Sequence, residues 1–226
     1  MIKFEEVSKK FAEITALDKI SFEIKDGEMV FLTGPSGAGK TTLIKLILKE
    51  LEPTTGKISI NGLDLSKIKR KHLYALRRKI GVVFQDFKLL NDRTVRENVA
   101  LALEVTGLDR KKVTKEVEEI LEMVGLFERA DLFPSQLAGG ELQRACLARA
   151  IVPSPEILIA DEPTGNLDVA TAWQIFSLLQ EVNRAGKTVL VTTHNFEIVD
   201  SLKIRVIELD HGKLVRDEEK GQYKVK

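Results

Sequence analysis

The chain has 226 residues, 43% hydrophobic and 31% charged, with 35 basic and 34 acidic side chains and a formal net charge of +1. This is the composition of a folded chain with a sizeable core, either one large domain or a domain with a subdomain, and the near-neutral balance excludes a global basic field for nucleic acid. A single cysteine, Cys146, excludes an intrachain disulfide and fits a reducing compartment. No uninterrupted apolar run approaches the ~20 residues needed to span a bilayer. Charges in residues 1–6 stand where a signal peptide has its apolar core, so no secretion signal is expected.

Residues 2–7 and 20–25 alternate apolar and polar, as half-buried antiparallel strands do. Residues 29–33 read as a buried strand. Directly after it comes Gly34-Pro35-Ser36-Gly37-Ala38-Gly39-Lys40-Thr41, a complete Gly-x-x-x-x-Gly-Lys-Thr phosphate loop. Its glycines let backbone N–H groups point at a polyanion, Lys40 reaches the outer phosphates, and the Thr41 hydroxyl is placed to ligate Mg²⁺. The helix opening at Thr42 aims its positive end at the same phosphates. A chance match in a turn would lack this strand–loop–helix context, so the segment is expected to bind a nucleotide.

Residues 67–79 carry seven Lys or Arg and no acid: Lys67, Lys69, Arg70, Lys71, Arg77, Arg78 and Lys79. They fit contact with acidic headgroups or an acidic partner, and equally a solvated helix face. A strand over 80–84 closes on Gln85, whose amide can touch a metal or an attacking water. From about 94 to 132 the pattern is purely helical (Val95, Val99, Leu103, then Val113, Val117, Ile120, Leu121, Val124), punctuated by Gly107 and Gly125. This predicts an all-helical insertion of about 40 residues with its own small apolar face.

Leu137-Ala138-Gly139-Gly140-Glu141 then leads into a helix. A Gly-Gly pair at a helix start is a second anion-binding nest. One nucleotide does not need two cradles, so the second is expected to serve a nucleotide held by another copy, making two-fold self-association part of catalysis. The apolar strand 157–160 ends in Asp161-Glu162. There Asp161 is expected to hold Mg²⁺ and Glu162 to orient or activate water; alone, the pair reads equally as a surface turn. Residues 171–183 have helical spacing, and 188–192 form another strand, followed by His194 where a sensor of the outermost phosphate would stand. A last central strand is expected over 204–209, and the charged tail 216–226 is expected to fray.

In this order, the motifs resemble those of the ATP-binding cassette ATPases over nearly the whole chain. The resemblance implies an α/β fold: a P-loop NTPase core with a RecA-like, mostly parallel sheet, an antiparallel β lobe and an inserted helical subdomain. It divides the chain at about 1–85 and 150–226 for core and lobe, and 86–149 for the helical part. It implies ATP and Mg²⁺ as cofactors, Phe11 stacking on adenine, Gln85 as the Q-loop glutamine, Asp168 in the D-loop facing the opposing site, and residues 137–141 as the signature acting in trans. Stretches 83–90, 93–100 and 162–168 are most like the cassettes of bacterial cell division. Those are ATP-dependent homodimers on the cytoplasmic face of the plasma membrane, beneath an integral membrane partner, that regulate cell-wall hydrolases alongside other division proteins. Lipoprotein-release and macrolide-export ATPases share parts of these stretches. The signature departs from its usual Leu-Ser-Gly-Gly at Ala138, which removes a phosphate-binding hydroxyl and leaves open a regulatory scaffold with little turnover. Leu142 and Asn195 also replace the more usual Gln and Asp, with small effects expected. A DNA-repair ATPase is excluded, because residues 42–136 leave no room for a long coiled coil.

Overall fold

A computed structural model describes residues 1–221. The chain opens with a hairpin of long strands, β1 (Ile2–Phe11) and β2 (Ile14–Ile24), then β3 (Met29–Thr33) and helix α1 (Lys40–Ile47). β4 (Thr55–Ile60) and β5 (Leu63–Asp64) complete a four-stranded antiparallel sheet in the order β2-β1-β4-β5. A short helix α2 (Leu73–Arg77) leads to β6 (Ile80–Val83). Next come α3 (Val95–Glu104), α4 (Arg110–Met123) and α5 (Gly139–Ile151). The remainder alternates β7 (Ile157–Asp161), α6 (Val169–Arg184), β8 (Thr188–Thr192), α7 (Phe196–Leu202), β9 (Arg205–Asp210) and β10 (Lys213–Glu218).

The larger sheet has the order β10-β9-β3-β8-β7-β6, parallel except for β10. Its central strands lack polar alternation because both faces are covered. Phe31, Leu158, Val189 and Val191 face one core, with the helices α5 and α6. Val30, Leu32, Ile159 and Leu190 face the other, with α1 and the antiparallel sheet. The period-2 pleat therefore feeds two cores from one strand.

The helical insertion does not keep a separate core. Val95, Val99 and Leu103 of α3 and Val117 and Leu121 of α4 lie in the same buried cluster as Phe31, Phe176 and Val191, joined through Ala145, Leu147 and Ala148 of α5. Helices α3 and α4 begin on side-chain caps. Thr94 Oγ1 accepts from Glu97 N at 3.2 Å, and Asp109 Oδ1 accepts from Lys112 N at 3.1 Å.

The tail expectation is corrected for residues 216–218. They belong to β10, where Arg205 pairs Asp217 at 2.7 Å and Arg216 pairs Glu208 at 2.9 Å. Cross-strand ion pairs hold a segment whose charge pattern alone suggested solvation. Residues 222–226 lie outside the described residues. β4 and β5 were also missed, because half of β4 is exposed and β5 is only two residues long.

Candidate active site

The ends of four parallel strands bring the predicted residues together. The loop Gly34–Gly39 leaves β3, Gln85 follows β6, Asp161 ends β7, and His194 follows β8. This is the C-terminal edge of the sheet, where α/β folds hold ligands. A cavity of about 510 Å³ lies there, lined by Ser36, Gly37, Ala38, Gly39, Lys40, Thr41, Thr42, Gln85, Asp161, Glu162, Gly165, His194 and Ala16.

The loop's path demands glycine at two points. Gly34 has φ +134°, and a Cβ there would meet Leu209 O at 2.1 Å. Gly39 has φ +108°, and its Cβ would meet Ala16 O at 2.7 Å. Gly39 caps α1 with its backbone, and Leu43 N donates to Gly39 O at 2.9 Å. The N–H groups of Lys40, Thr41 and Thr42 precede that first helical bond and open toward the cavity. The Lys40 ammonium is buried and donates to Gly34 O at 2.7 Å and Pro35 O at 3.1 Å. Burial pulls its pKa below the ordinary value, against the attraction of Glu162 and Asp161.

Opposite Lys40, the turn after β7 is held by Thr192 of β8. Its hydroxyl donates to Asp161 Oδ1 at 2.6 Å and accepts from Glu162 N at 2.8 Å. Glu162 has φ +48°, an uncommon left-handed conformation for a residue with a Cβ, which turns its side chain into the cavity beside Asp161. Glu162 Oε1 lies 2.8 Å from His194 Nε2, and the same nitrogen lies 3.2 Å from Lys40 Nζ. Burial pushes the Glu162 carboxyl above the usual carboxylate range and the charge of Asp161 adds to this, while His194 and Lys40 pull it down. Sequence reasoning passed over Thr192, although a buried polar residue ending an apolar strand was a usable signal. Gly165, too, was not singled out; a Cβ on it would stand 3.5 Å from Gln85 Nε2.

Other predicted residues lie elsewhere. None of the residues 137–141 lines the cavity, and neither does Asp168 or Phe11. Phe11 is half exposed near the end of the β1–β2 hairpin, with Lys9 Nζ 5.0 Å from its ring centroid. Ala138 is the N-cap residue of α5 and offers no side-chain acceptor, and Glu141 reaches back to accept from Ala138 N at 2.9 Å. Asp168 caps α6, accepting from Thr171 N at 3.0 Å and Thr171 Oγ1 at 2.6 Å; these bonds hold its carboxyl below the usual range. The two helix starts touch, because a Cβ on Gly140 would meet Thr171 Cγ2 at 2.4 Å. Asn195 accepts from Ile198 N at 3.1 Å and caps α7, a task Asp would perform equally well.

The family model described as ABC transporter matches residues 17–165, about two thirds of the chain. The chain belongs to this family. As an ABC ATPase it is 52% identical to a cell division ATP-binding protein FtsE of Bacillus subtilis, over 99% of this chain and 98% of that protein. Likeness to the FtsE of Mycobacterium tuberculosis is 48% over 99% and 98%, and to that of Escherichia coli 46% over 95% and 97%. Among solved structures, it is similar to a dimeric ATP-binding cassette, MJ0796, in a post-hydrolysis state bound to ADP and Pi. That match has a TM-score of 0.88 and 36% identity, covering 99% of this chain and all of the other. A second dimeric structure of MJ0796 gives a TM-score of 0.89. This ABC ATPase thus carries the cassette fold expected from its motifs, and it binds and hydrolyses ATP.

Proposed function

We propose that the chain is the FtsE-like ATPase of a cell-division complex, closing as a homodimer on two ATP molecules and driving an FtsX-like integral membrane partner that regulates peptidoglycan hydrolases. The observation that carries this reading is the division of the motifs. Lys40, Asp161, Glu162, Gln85 and His194 converge on one cavity, while residues 137–141 and Asp168 lie outside it. A second copy related by a two-fold axis would supply them in trans.

In this reading the N–H groups of the loop and α1 cradle the phosphates, Lys40 contacts the outer ones, and Phe11 meets adenine. Glu162 polarises the attacking water as base, and His194 donates to charge developing on the transferred phosphoryl group. Mg²⁺ fits the donors present. Thr41, Gln85 and Asp161 share the cavity, and among the described residues no cluster of three or more His, Cys, Asp or Glu could hold a metal alone. Such a hard cation would take its remaining oxygens from the nucleotide and water, and would neutralise phosphate charge there. The division into core and helical subdomain at 86–149 is kept as a functional boundary, since the signature lies on α5.

Among the described residues no helix is long and apolar enough to cross a membrane. Attachment at the cytoplasmic face is therefore assigned to the partner. A groove of about 800 Å³ beside β6 and α2 suits a short partner helix. It combines Leu73, Tyr74 and Val105 with Arg70, Arg77 and Arg78, and no carboxylate lines it. Those three arginines have no ion-pair partner among the described residues, so an occupant with acidic side chains would complement them.

A test is static light scattering of Glu162→Gln with saturating Mg-ATP, alone and with FtsX. A dimer that captures FtsX is expected; a persistent monomer, or a dimer indifferent to FtsX, would reject the proposal. Ala138 supports a second reading as a low-turnover scaffold, which predicts a faster ATPase for Ala138→Ser than for the chain; equal rates would remove the ground for it.

A further inference from the structure

The loop that follows Gln85 is held in an unusual conformation. Phe87 and Lys88 both have positive φ, +57° and +51°, although both carry a Cβ. Consecutive non-glycine residues in the left-handed region are uncommon and persist only where the surroundings determine them.

Those surroundings are two side chains of α5. Arg149 forks onto consecutive carbonyls, Nη1 donating to Lys88 O at 2.6 Å and Nη2 to Phe87 O at 3.0 Å. Cys146, three residues earlier and so on the same helix face, donates its thiol hydrogen to Phe87 O at 3.0 Å. Burial pushes that thiol up to about 12, so it stays protonated and able to donate. Arg149 pairs with no carboxylate among the described residues. Its charge is met by carbonyl oxygens, so the guanidinium is committed to the loop. Lysine, a point charge without the planar fork, would not make both bonds.

We infer that Arg149 is a positioning residue for Gln85, fixing loop 86–88 to α5 so that Gln85 and the Gly139–Gly140 helix start move as one body. This rests on the reading that Gln85 acts at the nucleotide site. Gln85 lies two residues before the clamped carbonyls and lines the ATP cavity. Arg149 lies in the last turn of the helix whose first residues are Gly139 and Gly140. The link is thus a single rigid helix, and a displacement of the signature is transmitted to the Q-loop backbone.

The experiment is a double-mutant cycle on the full chain, reading kcat and KM for Mg-ATP. Arg149→Ala is expected to lower kcat about tenfold, as loss of a supporting contact does, with KM changed less than about twofold. In a Gln85→Ala background the same substitution should cost nothing more, because its effect runs through Gln85. Lys88→Gly should restore about half of the logarithmic loss in Arg149→Ala, since glycine adopts the left-handed turn freely. Lys88→Ala, which also removes the ammonium 4.7 Å from the Phe84 ring centroid, should not. If Arg149→Ala does not fold, Arg149→Lys takes its place in every arm. Additive losses, or equal behaviour of Lys88→Gly and Lys88→Ala, would reduce Arg149 to a structural residue and overturn the inference. Wild-type kcat in Gln85→Ala would instead overturn the underlying role of Gln85, and the inference with it.

Discussion

His194 Nε2 and Glu162 Oε1 lie 2.8 Å apart, with Lys40 Nζ 3.2 Å from the same nitrogen. Nε2 carries at most one proton, so it either donates to the Glu162 carboxylate or accepts from Lys40. Glu162, His194 and Lys40 are therefore one electrostatic unit. Glu162→Gln is expected to slow phosphate release by about 10²- to 10⁴-fold, the range for loss of a general base. His194→Ala should also be slow, and the double variant no slower than the worse single one, since groups acting as a unit are non-additive. Single-turnover phosphate release measures all three.

The same carboxylate sets a pH dependence. Burial raises its folded pKa above the ordinary 4.5, so its contribution to stability is full below the unfolded value and is lost as pH rises through the folded one. Glu162→Gln lacks this term. The variant should exceed the parent in urea midpoint at pH 8, and the margin should shrink as pH falls toward 5. A margin independent of pH would mean that Glu162 is not held above its ordinary range.

Ala138 has two separable consequences. As the N-cap of α5 it leaves a helix start without a side-chain acceptor. Ala138→Ser should add about 1 kcal/mol of stability in urea unfolding. If its hydroxyl also reaches the partner's phosphate, ATPase should rise about tenfold, as a hydrogen bond to a charged group allows. Ala138→Asp should stabilise α5 too, yet lower ATPase, because it sets a carboxylate against that phosphate.

Thr192 touches no nucleotide in this scheme but holds Asp161 and the Glu162 backbone. Thr192→Val keeps the shape and removes both bonds. The Mg²⁺ concentration for half-maximal ATPase should rise about 10- to 100-fold, the cost of losing an outer-shell partner, measured by metal titration.

For the groove, the charge-reversed pair Arg70→Glu and Arg78→Glu should abolish co-purification with FtsX. ATP-dependent dimerisation of Glu162→Gln in the same background should persist. Retained FtsX capture would show that charge does not select the occupant.

Much of this is legible in the sequence. The phosphate loop, Asp161-Glu162 and His194 are local strings with local causes, since each terminates an apolar strand whose burial is written in its composition. The largely parallel sheet followed from the same apolar runs, and the structure added its two cores. Less legible were β4, half exposed, and β10, whose Arg216 and Asp217 find partners on β9. Thr192 escaped because its role depends on which strand lies beside β7. Likewise Arg149 is one more basic residue on a helix until the fold places Phe87 and Lys88 against it.

The sequence by itself determined which groups this chain brings to its chemistry: a phosphate loop, the Asp161-Glu162 pair and the Gly139-Gly140 helix start, each encoded within a few consecutive residues. Only the tertiary structure decided how those parts are held. It placed Glu162 in a left-handed turn under Thr192, set His194 between Glu162 and Lys40, and clamped the Gln85 loop to α5. The reason is physical. Motif identity and helix or strand preference are short-range, whereas strained turns, burial, pKa and side-chain partnership depend on strands and helices far apart in the chain.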